Sequence, residues 1–299
     1  MKIGYIGLGK MGKNMVLRLL EQGIEVVAWN RSPEKVEEVV AAGAFGAKNV
    51  AELVSALPAP RIIWLMVPNG APVDEMVSQL LPLLAADDLV IDGGNSQYKD
   101  SMRRGKLLSE KGVHFLDVGV SGGPSGARNG ACLMIGGEKS QYERALQIFK
   151  AAAAPTAFGY MGSSGSGHFT KMVHNGIEYG MMQAIAEGAA VLKASEFHLD
   201  LVEAFRVYNT GSVIESRLVG WTQEALSEDK ELSQISSTIQ ATGEGEWTIN
   251  AAKELGIEVP VIEDSFNVRQ QSATAPENFR NKVVSAMRGK FGGHDVKKK

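Results

Sequence analysis

The stretch Lys2-Ile-Gly-Tyr-Ile6-Gly7-Leu8-Gly9-Lys10-Met11-Gly12 decides the fold, because it predicts a strand, a tight glycine turn and a helix start in immediate succession. Lys2 to Ile6 is short and apolar like a buried strand, and the apolar residues from Met11 to Leu20 recur with helical period. Glycines in such a turn let a pyrophosphate approach the backbone at the helix N-terminus. We therefore expect a dinucleotide to contact Gly7, Leu8, Gly9, Lys10, Met11 and Gly12.

The same alternation of strand and helix continues through the first half of the chain. Further strands are predicted at Ile24 to Trp29, Ile62 to Val67, Leu89 to Ile91, Phe115 to Val118 and Cys132 to Ile135, with helical segments such as Val73 to Leu84 between them. This order is typical of parallel strands joined by helices. We predict an α/β Rossmann-type, doubly wound parallel sheet over residues 1–164.

The second half of the chain is predicted to be helical. From about Gly167 onward strand patterns fade, and helical patterns cover Phe169 to Ala194, Asp200 to Tyr208, Trp247 to Lys253 and Ile262 to Gln271. An all-α domain over residues 165–299 should therefore follow the sheet.

Composition excludes several classes of protein. The formal net charge of -3 among 299 residues argues against general nucleic-acid binding, which needs clustered excess Lys and Arg. The single cysteine, Cys132, excludes an internal disulfide, favours a reducing compartment and is expected to be a small core residue. No apolar run approaches the roughly 18 residues of a membrane span, and the N-terminus runs straight into a predicted strand. We expect a cytoplasmic protein without a membrane partner.

The end of the second predicted strand bears on which cofactor is bound. An NAD site of this type has an acidic residue about 20 residues beyond the glycines, whereas this chain has Asn30-Arg31-Ser32 there. The Arg31 guanidinium could pair with a 2′-phosphate, helped by Asn30 and Ser32. The first domain is therefore predicted to prefer NADP, with NAD possible, although an exposed loop arginine would look the same in the sequence.

Two glycine-rich loops follow later strands, at Asp92-Gly-Gly-Asn95-Ser96 and at Ser121-Gly122-Gly123-Pro124-Ser-Gly-Ala-Arg128. Ligands of open α/β sheets bind at the carboxyl ends of strands, so both loops should flank the nicotinamide. Alternatively, both glycine-rich loops could be simple turns that bind no ligand.

The stretch Lys171-Met-Val-His174-Asn175-Gly-Ile-Glu178-Tyr179-Gly predicts a polar face on a helix. At about 100° per residue, the four polar residues Lys171, His174, Asn175 and Glu178 share one side. An amine and a carboxyl on one buried stripe are what proton transfer needs. Metal ligation is not expected, because His114, His168 and His198 are too scattered to form a site.

Together, in this order and spacing, these motifs resemble the 6-phosphogluconate dehydrogenase family, the decarboxylating enzymes of the pentose phosphate pathway. The most specific element of the resemblance is Ile177-Glu178-Tyr179-Gly180. Related β-hydroxyacid dehydrogenases have the equivalents of Lys171 and Asn175 without that of Glu178. The C-terminal Arg288-Gly-Lys-Phe-Gly-Gly-His294 is similar to the family's tail. The chain resembles a short form with one helical domain.

The resemblance implies a role for each residue of the site. Lys171 would be the general base and Glu178 the general acid. The sugar acid would be held by Asn95, Ser121, Gly122, Gly123, His174, Asn175 and Tyr179. The phosphate end would be held by Arg269 together with Arg288 and His294 of a neighbouring subunit, which implies a homodimer or a larger assembly.

Two departures from the family pattern affect this assignment. Thr242 stands where long members have a phosphate-binding Lys, and the family's Leu-(Met/Val)-Val-Lys near the cofactor reads Leu65-Met66-Val67-Pro68. Cofactor contacts are predicted at Met66, Val67, Pro68 and Asn95. The resemblance supports the contact at Pro68 least, because the family has a Lys at that position.

The implied reaction is oxidative decarboxylation of 6-phosphogluconate to ribulose 5-phosphate. Burial and a nearby cofactor charge would lower the pKa of Lys171, which would accept the C3 hydroxyl proton, and Glu178 kept protonated by burial would protonate the final carbon. One alternative is a non-decarboxylating β-hydroxyacid dehydrogenase, like 3-hydroxyisobutyrate dehydrogenase. Another is a nucleotide-binding sensor that has lost catalysis.

Overall fold

The computed structural model describes residues 1–240, 243–292 and 296–297. The chain divides into two compact units, Met1–Lys171 and Met172–Lys299, and the boundary lies within one long helix. Each unit has its own core, so the two are taken in turn.

The first unit is built on a sheet whose eight described strands lie in the order β3-β2-β1-β4-β5-β6-β7-β8. All neighbours are parallel except β6 and β7, which are antiparallel. The strand order reverses between β1 and β4, as in a doubly wound fold, and the predicted fold class is confirmed. The strands are β1 (Lys2–Ile6), β2 (Glu25–Trp29), β3 (Phe45–Gly46), β4 (Ile62–Leu65), β5 (Leu89–Asp92), β6 (His114–Ser121), β7 (Ala131–Gly137) and β8 (Ala153–Gly162).

Helices cover both faces of this sheet and bury two apolar clusters against it. In the first helix, Met15, Val16 and Leu19 lie on one side and are fully buried, which is why the helix stays against the sheet. The helices are α1 (Lys10–Glu21), α2 (Pro33–Val40), α3 (Val50–Ser55), α4 (Ala71–Leu80), α5 (Tyr98–Ser109), α6 (Gly123–Asn129), α7 (Lys139–Arg144) and α8 (Leu146–Ala152).

In this unit two local predictions were wrong and one strand was missed. The segment after Ser121 is not only a loop, because Gly123–Asn129 forms helix α6. Pro124 lies in the first turn of this helix, where a backbone N–H has no helical partner and its absence in proline costs no hydrogen bond. The strand β8 was not predicted. Cys132 is exposed rather than a core residue, because the core-facing side of β7 at that point is taken by its neighbour Leu133.

The second unit is helical, as predicted. Helix α9 (Ser166–Ala194) enters it from the first unit, and its apolar core includes Met182, Phe205, Val219 and Met287. The remaining helices are α10 (Leu201–Tyr208), α11 (Arg217–Glu228), α12 (Glu244–Leu255), α13 (Pro260–Gln271) and α14 (Phe279–Gly292). Among the residues described in either unit, none of the helices has the length and apolar character needed to cross a bilayer.

Candidate functional site

The glycine turn between β1 and α1 is shaped for a dinucleotide. Gly7 has a φ of 101°, and a side chain there would collide with the carbonyl oxygen of Met66. A side chain on Gly12 would collide with the carbonyl of Gly7, so the helix must pack tightly on the turn. Gly9, the residue before α1, has open space around it and carries no side chain that could cap the amides of the first turn. Those amides and the helix dipole suit a pyrophosphate.

Asn30 fixes the shape of this turn. Its side-chain oxygen accepts a hydrogen bond from the Leu8 N–H at 2.9 Å, and its side-chain nitrogen donates to the Ser32 carbonyl at 3.2 Å. The amide therefore joins the end of β2 to the glycine turn. Arg31, next to it, is exposed and faces solvent.

The loop after β5 is held by a buried carboxylate that sequence reasoning left unassigned. Asp92 is fully buried, and its two oxygens accept hydrogen bonds from the Gly94 N–H at 3.0 Å and the Ser96 hydroxyl at 2.7 Å. The Asn95 side chain, between these two buried residues, is exposed. An Asp followed by glycines at a strand end is typical of such a turn, so the signal was present in the sequence.

Helix α9 lies directly against β6 at its start, which positions Lys171. Asp117, fully buried on β6, accepts hydrogen bonds from the backbone N–H groups of Gly165 at 2.7 Å and His168 at 2.8 Å. A side chain on Gly119 would collide with Cβ of Lys171, so only glycine permits this approach. Lys171 thus packs against the strand whose end supplies Ser121, Gly122 and Gly123.

The polar face predicted on α9 is present, but it is half-buried rather than buried at Lys171, His174, Asn175 and Glu178. His174 and Asn175 are joined by a 3.0 Å hydrogen bond between Nδ1 and Oδ1. Because an amide oxygen only accepts, His174 Nδ1 is the donor in this bond, and the contact fixes the orientation of the ring. The Asn175 amide nitrogen donates in turn to Oε1 of Glu244 at 3.3 Å.

Glu244 is a site residue that the sequence prediction missed. It is only 5% exposed and begins α12, where a carboxylate also suits the helix N-terminus. It lies in Gly243-Glu244-Gly245-Glu-Trp247, directly after Thr242 in the sequence. A carboxylate there orients Asn175, which no spacing rule indicates.

Two buried arginines form a cationic group in the second unit. The Arg269 guanidinium carbon lies 3.3 Å from the centroid of the Tyr179 ring, and Arg269 and Arg288 are 2% and 3% exposed. Burial lowers the pKa of Arg269 to about 10, where the nearby Arg288 charge also lowers it while Tyr179 and Glu178 raise it. Within the described residues, Nη1 of Arg269 and Nη2 of Arg288 have no hydrogen-bond partner.

These two arginines fit an oxyanion. Two buried cations repel each other and are costly to bury without a counterion, and a phosphate supplies both the charge and the missing acceptors. In this chain Arg288 lies in α14 and its charge lowers the pKa of Arg269, while the assignment of Arg288 to a neighbouring subunit's site stays a prediction. His294 and Thr242 lie outside the described residues, and the homodimer with a shared tail stays a prediction.

We expect inorganic phosphate to stabilise the protein against heat through Arg269. At ten times its dissociation constant, a ligand bound only to the folded state adds about 1.4 kcal/mol to the free energy of unfolding. Arg269→Gln should abolish the rise in melting temperature, while Arg206→Gln, on the exposed side of α10, should keep it. Differential scanning fluorimetry checks this, and an equal phosphate response in wild type and Arg269→Gln would contradict the assignment.

The sequence matches two family domains. Residues 2–162 match the NAD binding domain of 6-phosphogluconate dehydrogenase, and residues 167–299 match the C-terminal domain of 6-phosphogluconate dehydrogenase. Among the residues described, no group of three or more His, Cys, Asp or Glu could hold a metal ion.

Individual relatives agree with these matches. The chain is 46% identical, over 100% of both chains, to the Bacillus subtilis (strain 168) protein YqeC, which its name places provisionally among the 6-phosphogluconate dehydrogenases. It is 42% identical to the NAD(+)-dependent, decarboxylating 6-phosphogluconate dehydrogenase of Haloferax volcanii, over 100% of this chain and 99% of that one. The solved structure of Plasmodium falciparum 6-phosphogluconate dehydrogenase superposes with a TM-score of 0.84 at 33% identity, covering 96% of this chain and 70% of that one. The chain therefore belongs to the 6-phosphogluconate dehydrogenase family of oxidoreductases.

Proposed function

We propose that the protein oxidises and decarboxylates 6-phosphogluconate, giving ribulose 5-phosphate, carbon dioxide and a reduced nicotinamide dinucleotide. The observation that carries this proposal is the stacking of the buried Arg269 guanidinium on the ring of Tyr179, the residue that directly follows Glu178 on α9. An acid for the final protonation and a buried cation for a phosphate therefore lie together. A non-decarboxylating dehydrogenase of an unphosphorylated hydroxy acid needs neither.

The first step oxidises the C3 hydroxyl of the sugar acid to a carbonyl, removing a hydride from carbon and a proton from oxygen. Lys171, in its neutral form, accepts the proton of the C3 hydroxyl. The glycine turn of the first unit would hold the dinucleotide, whose nicotinamide would supply the acceptor for the hydride from C3. His174, whose ring is oriented through Asn175 and Glu244, forms a hydrogen bond with a substrate hydroxyl.

The second step breaks the bond between C1 and C2 of the 3-keto acid. The C3 carbonyl receives the electron pair as carbon dioxide leaves, and protonated Lys171 stabilises the oxygen on which negative charge develops. Glu178 then donates a proton to the carbon that has lost carbon dioxide, which becomes C1 of ribulose 5-phosphate. Lys171 has then gained one proton and Glu178 has lost one, so the return of a proton from Lys171 to Glu178 through solvent restores both groups, and the reaction balances without a further reactant.

We also propose that NADP is preferred over NAD. The Haloferax volcanii relative is named as NAD(+)-dependent, and the Plasmodium falciparum enzyme was solved with NADP+, so membership in the family leaves both open. Support comes from the end of β2, where an exposed guanidinium at Arg31 stands in place of the acidic residue that would bind a ribose hydroxyl.

We expect Arg31→Ala to lower kcat/KM for NADP by roughly 10- to 100-fold, because a hydrogen bond to a charged group contributes about 1.5–3 kcal/mol. The value for NAD should hardly change, since NAD lacks the 2′-phosphate. Lys35→Ala, an exposed change on the neighbouring α2, serves as the control. Initial rates with each cofactor check this, and wild type favouring NAD with no effect of Arg31→Ala would refute the preference.

The proposed function is tested by following absorbance at the nicotinamide band with 6-phosphogluconate and each cofactor in turn. Reduction of the cofactor is expected with 6-phosphogluconate and not with gluconate, which lacks the phosphate for Arg269. Equal or better rates with an unphosphorylated 3-hydroxy acid would overturn the substrate assignment, and no reduction with any sugar acid would favour a non-catalytic sensor.

A further inference from the structure

A second buried network of the first unit, centred on His168, lies outside the chemistry described so far. His168 is the third residue of α9, one turn before Lys171, and is 1% exposed. Its ring joins two other elements: Nδ1 lies 2.7 Å from the Ser101 hydroxyl of α5, and Nε2 lies 3.1 Å from the Gly94 carbonyl in the loop after β5. Ser101 is itself fully buried.

The partners of His168 determine its tautomer. A backbone carbonyl only accepts, so Nε2 carries the proton and donates it to Gly94. Nδ1 of the neutral ring is then an acceptor, and the Ser101 hydroxyl donates to it. Every polar atom of the ring has a partner of the right kind, which is what a rigid buried connection requires.

This connection links the two parts of the unit that hold Asn95 and Lys171. Asp92 and Asp117 are register neighbours on β5 and β6. Asp92 fixes the loop of Asn95 by accepting a hydrogen bond from the Gly94 N–H. Asp117 fixes the start of α9 by accepting one from the His168 N–H. The His168 ring joins the loop directly to α9, because it donates a hydrogen bond to the carbonyl of the same Gly94.

We propose that His168 is a positioning residue for the dehydrogenase reaction, which fixes the loop of Asn95 relative to the turn of α9 that bears Lys171. The positioning role rests on the proposed function, because that function assigns Asn95 and Lys171 to the substrate and the cofactor. Loss of the Gly94 contact would let Asn95 shift while the glycine turn that holds the dinucleotide is unaffected. A misplacement of about 1 Å near reacting atoms lowers the rate by about 10²-fold.

The experiment compares His168→Leu, His168→Gln and Ser101→Ala with wild type. His168→Leu removes both hydrogen bonds at similar volume, whereas the Gln amide can still donate to the Gly94 carbonyl. We expect kcat with 6-phosphogluconate to fall about 10²-fold in His168→Leu, to recover largely in His168→Gln, and to fall less in Ser101→Ala. The dissociation constant of the dinucleotide should change much less than kcat in all three, because Asn95 is only one of its predicted contacts.

A second readout is independent of turnover. Hydrogen exchange followed by mass spectrometry should show faster exchange of the amides of residues 94–97 in His168→Leu, with wild-type exchange in the glycine turn of residues 7–12. A purely structural role predicts a lower melting temperature with kcat unchanged per folded molecule, and that result would overturn the proposal. Ser101→Ala decides the matter if His168→Leu does not fold, since wild-type kcat and loop exchange in that variant would equally overturn it.

These outcomes separate this proposal from the proposed function. A wild-type protein that converts 6-phosphogluconate while all His168 variants keep full kcat refutes only the positioning role. A wild-type protein that does not convert it refutes the proposed function, and the positioning role with it.

Discussion

Replacing Lys171 with methionine should lower kcat with 6-phosphogluconate by about 10³-fold, because the proposed general base is lost and general base catalysis contributes about 10²–10⁴-fold. Methionine keeps the apolar stem that packs against Gly119, so the protein should remain folded. Initial rates of cofactor reduction measure the effect.

The matched control for this change is Lys139→Met, at an exposed position on α7. It should keep wild-type kcat. Circular dichroism and dinucleotide binding should be unchanged in both variants, since the glycine turn does not involve Lys171. Near wild-type turnover in Lys171→Met would exclude Lys171 as the base, and would leave the first step without a proton acceptor.

Replacing Glu178 with glutamine should separate the two halves of the reaction. An amide keeps the shape and a hydrogen-bond donor but cannot transfer a proton to carbon, so steady-state turnover should fall by about 10²-fold. Hydride transfer precedes this proton transfer. In stopped-flow measurements the first equivalent of reduced cofactor should therefore form at close to the wild-type rate, followed by slow turnover.

Glu187→Gln, an exposed change on the same helix, is the control and should behave as wild type. Equal loss of the first turnover and of the steady state in Glu178→Gln would mean that Glu178 acts before decarboxylation. Unchanged kinetics would mean that it has no part in proton transfer.

The parts of the structure that were predictable depend on local sequence. The strand, glycine turn and helix from Lys2 to Gly12 follow from periodicity and glycine geometry, which act within a few residues. The shared face of Lys171, His174, Asn175 and Glu178 follows from the helical repeat alone. These features could be located before the tertiary structure was known.

The parts that were missed depend on tertiary contacts. Strand β8 contains Pro155 and two glycines and lacks a clear alternation, so only pairing with β7 makes it a strand. The exposure of Cys132 depends on which side of β7 meets the core. Likewise, the partners of His168 at Ser101 and Gly94 are 67 and 74 residues away in sequence, beyond any local pattern.

The buried arginines illustrate the same limit for the site. Arg269 and Arg288 were selected by family resemblance, since arginine is mostly exposed and a sequence gives no sign that two of them are buried together. Only the folded second unit shows that both side chains are buried and that each has a guanidinium nitrogen without a hydrogen-bond partner among the described residues. The roles of Asp92, Asp117 and Glu244 became visible in the same way.

The most direct test of the central claim is the ratio of carbon dioxide released to cofactor reduced, with 6-phosphogluconate labelled with ¹³C at C1. Oxidative decarboxylation predicts one labelled carbon dioxide for each reduced nicotinamide, with ribulose 5-phosphate as the sugar product. Reduced cofactor formed while the label stays in an acid product would contradict the account and would identify a dehydrogenase that does not decarboxylate.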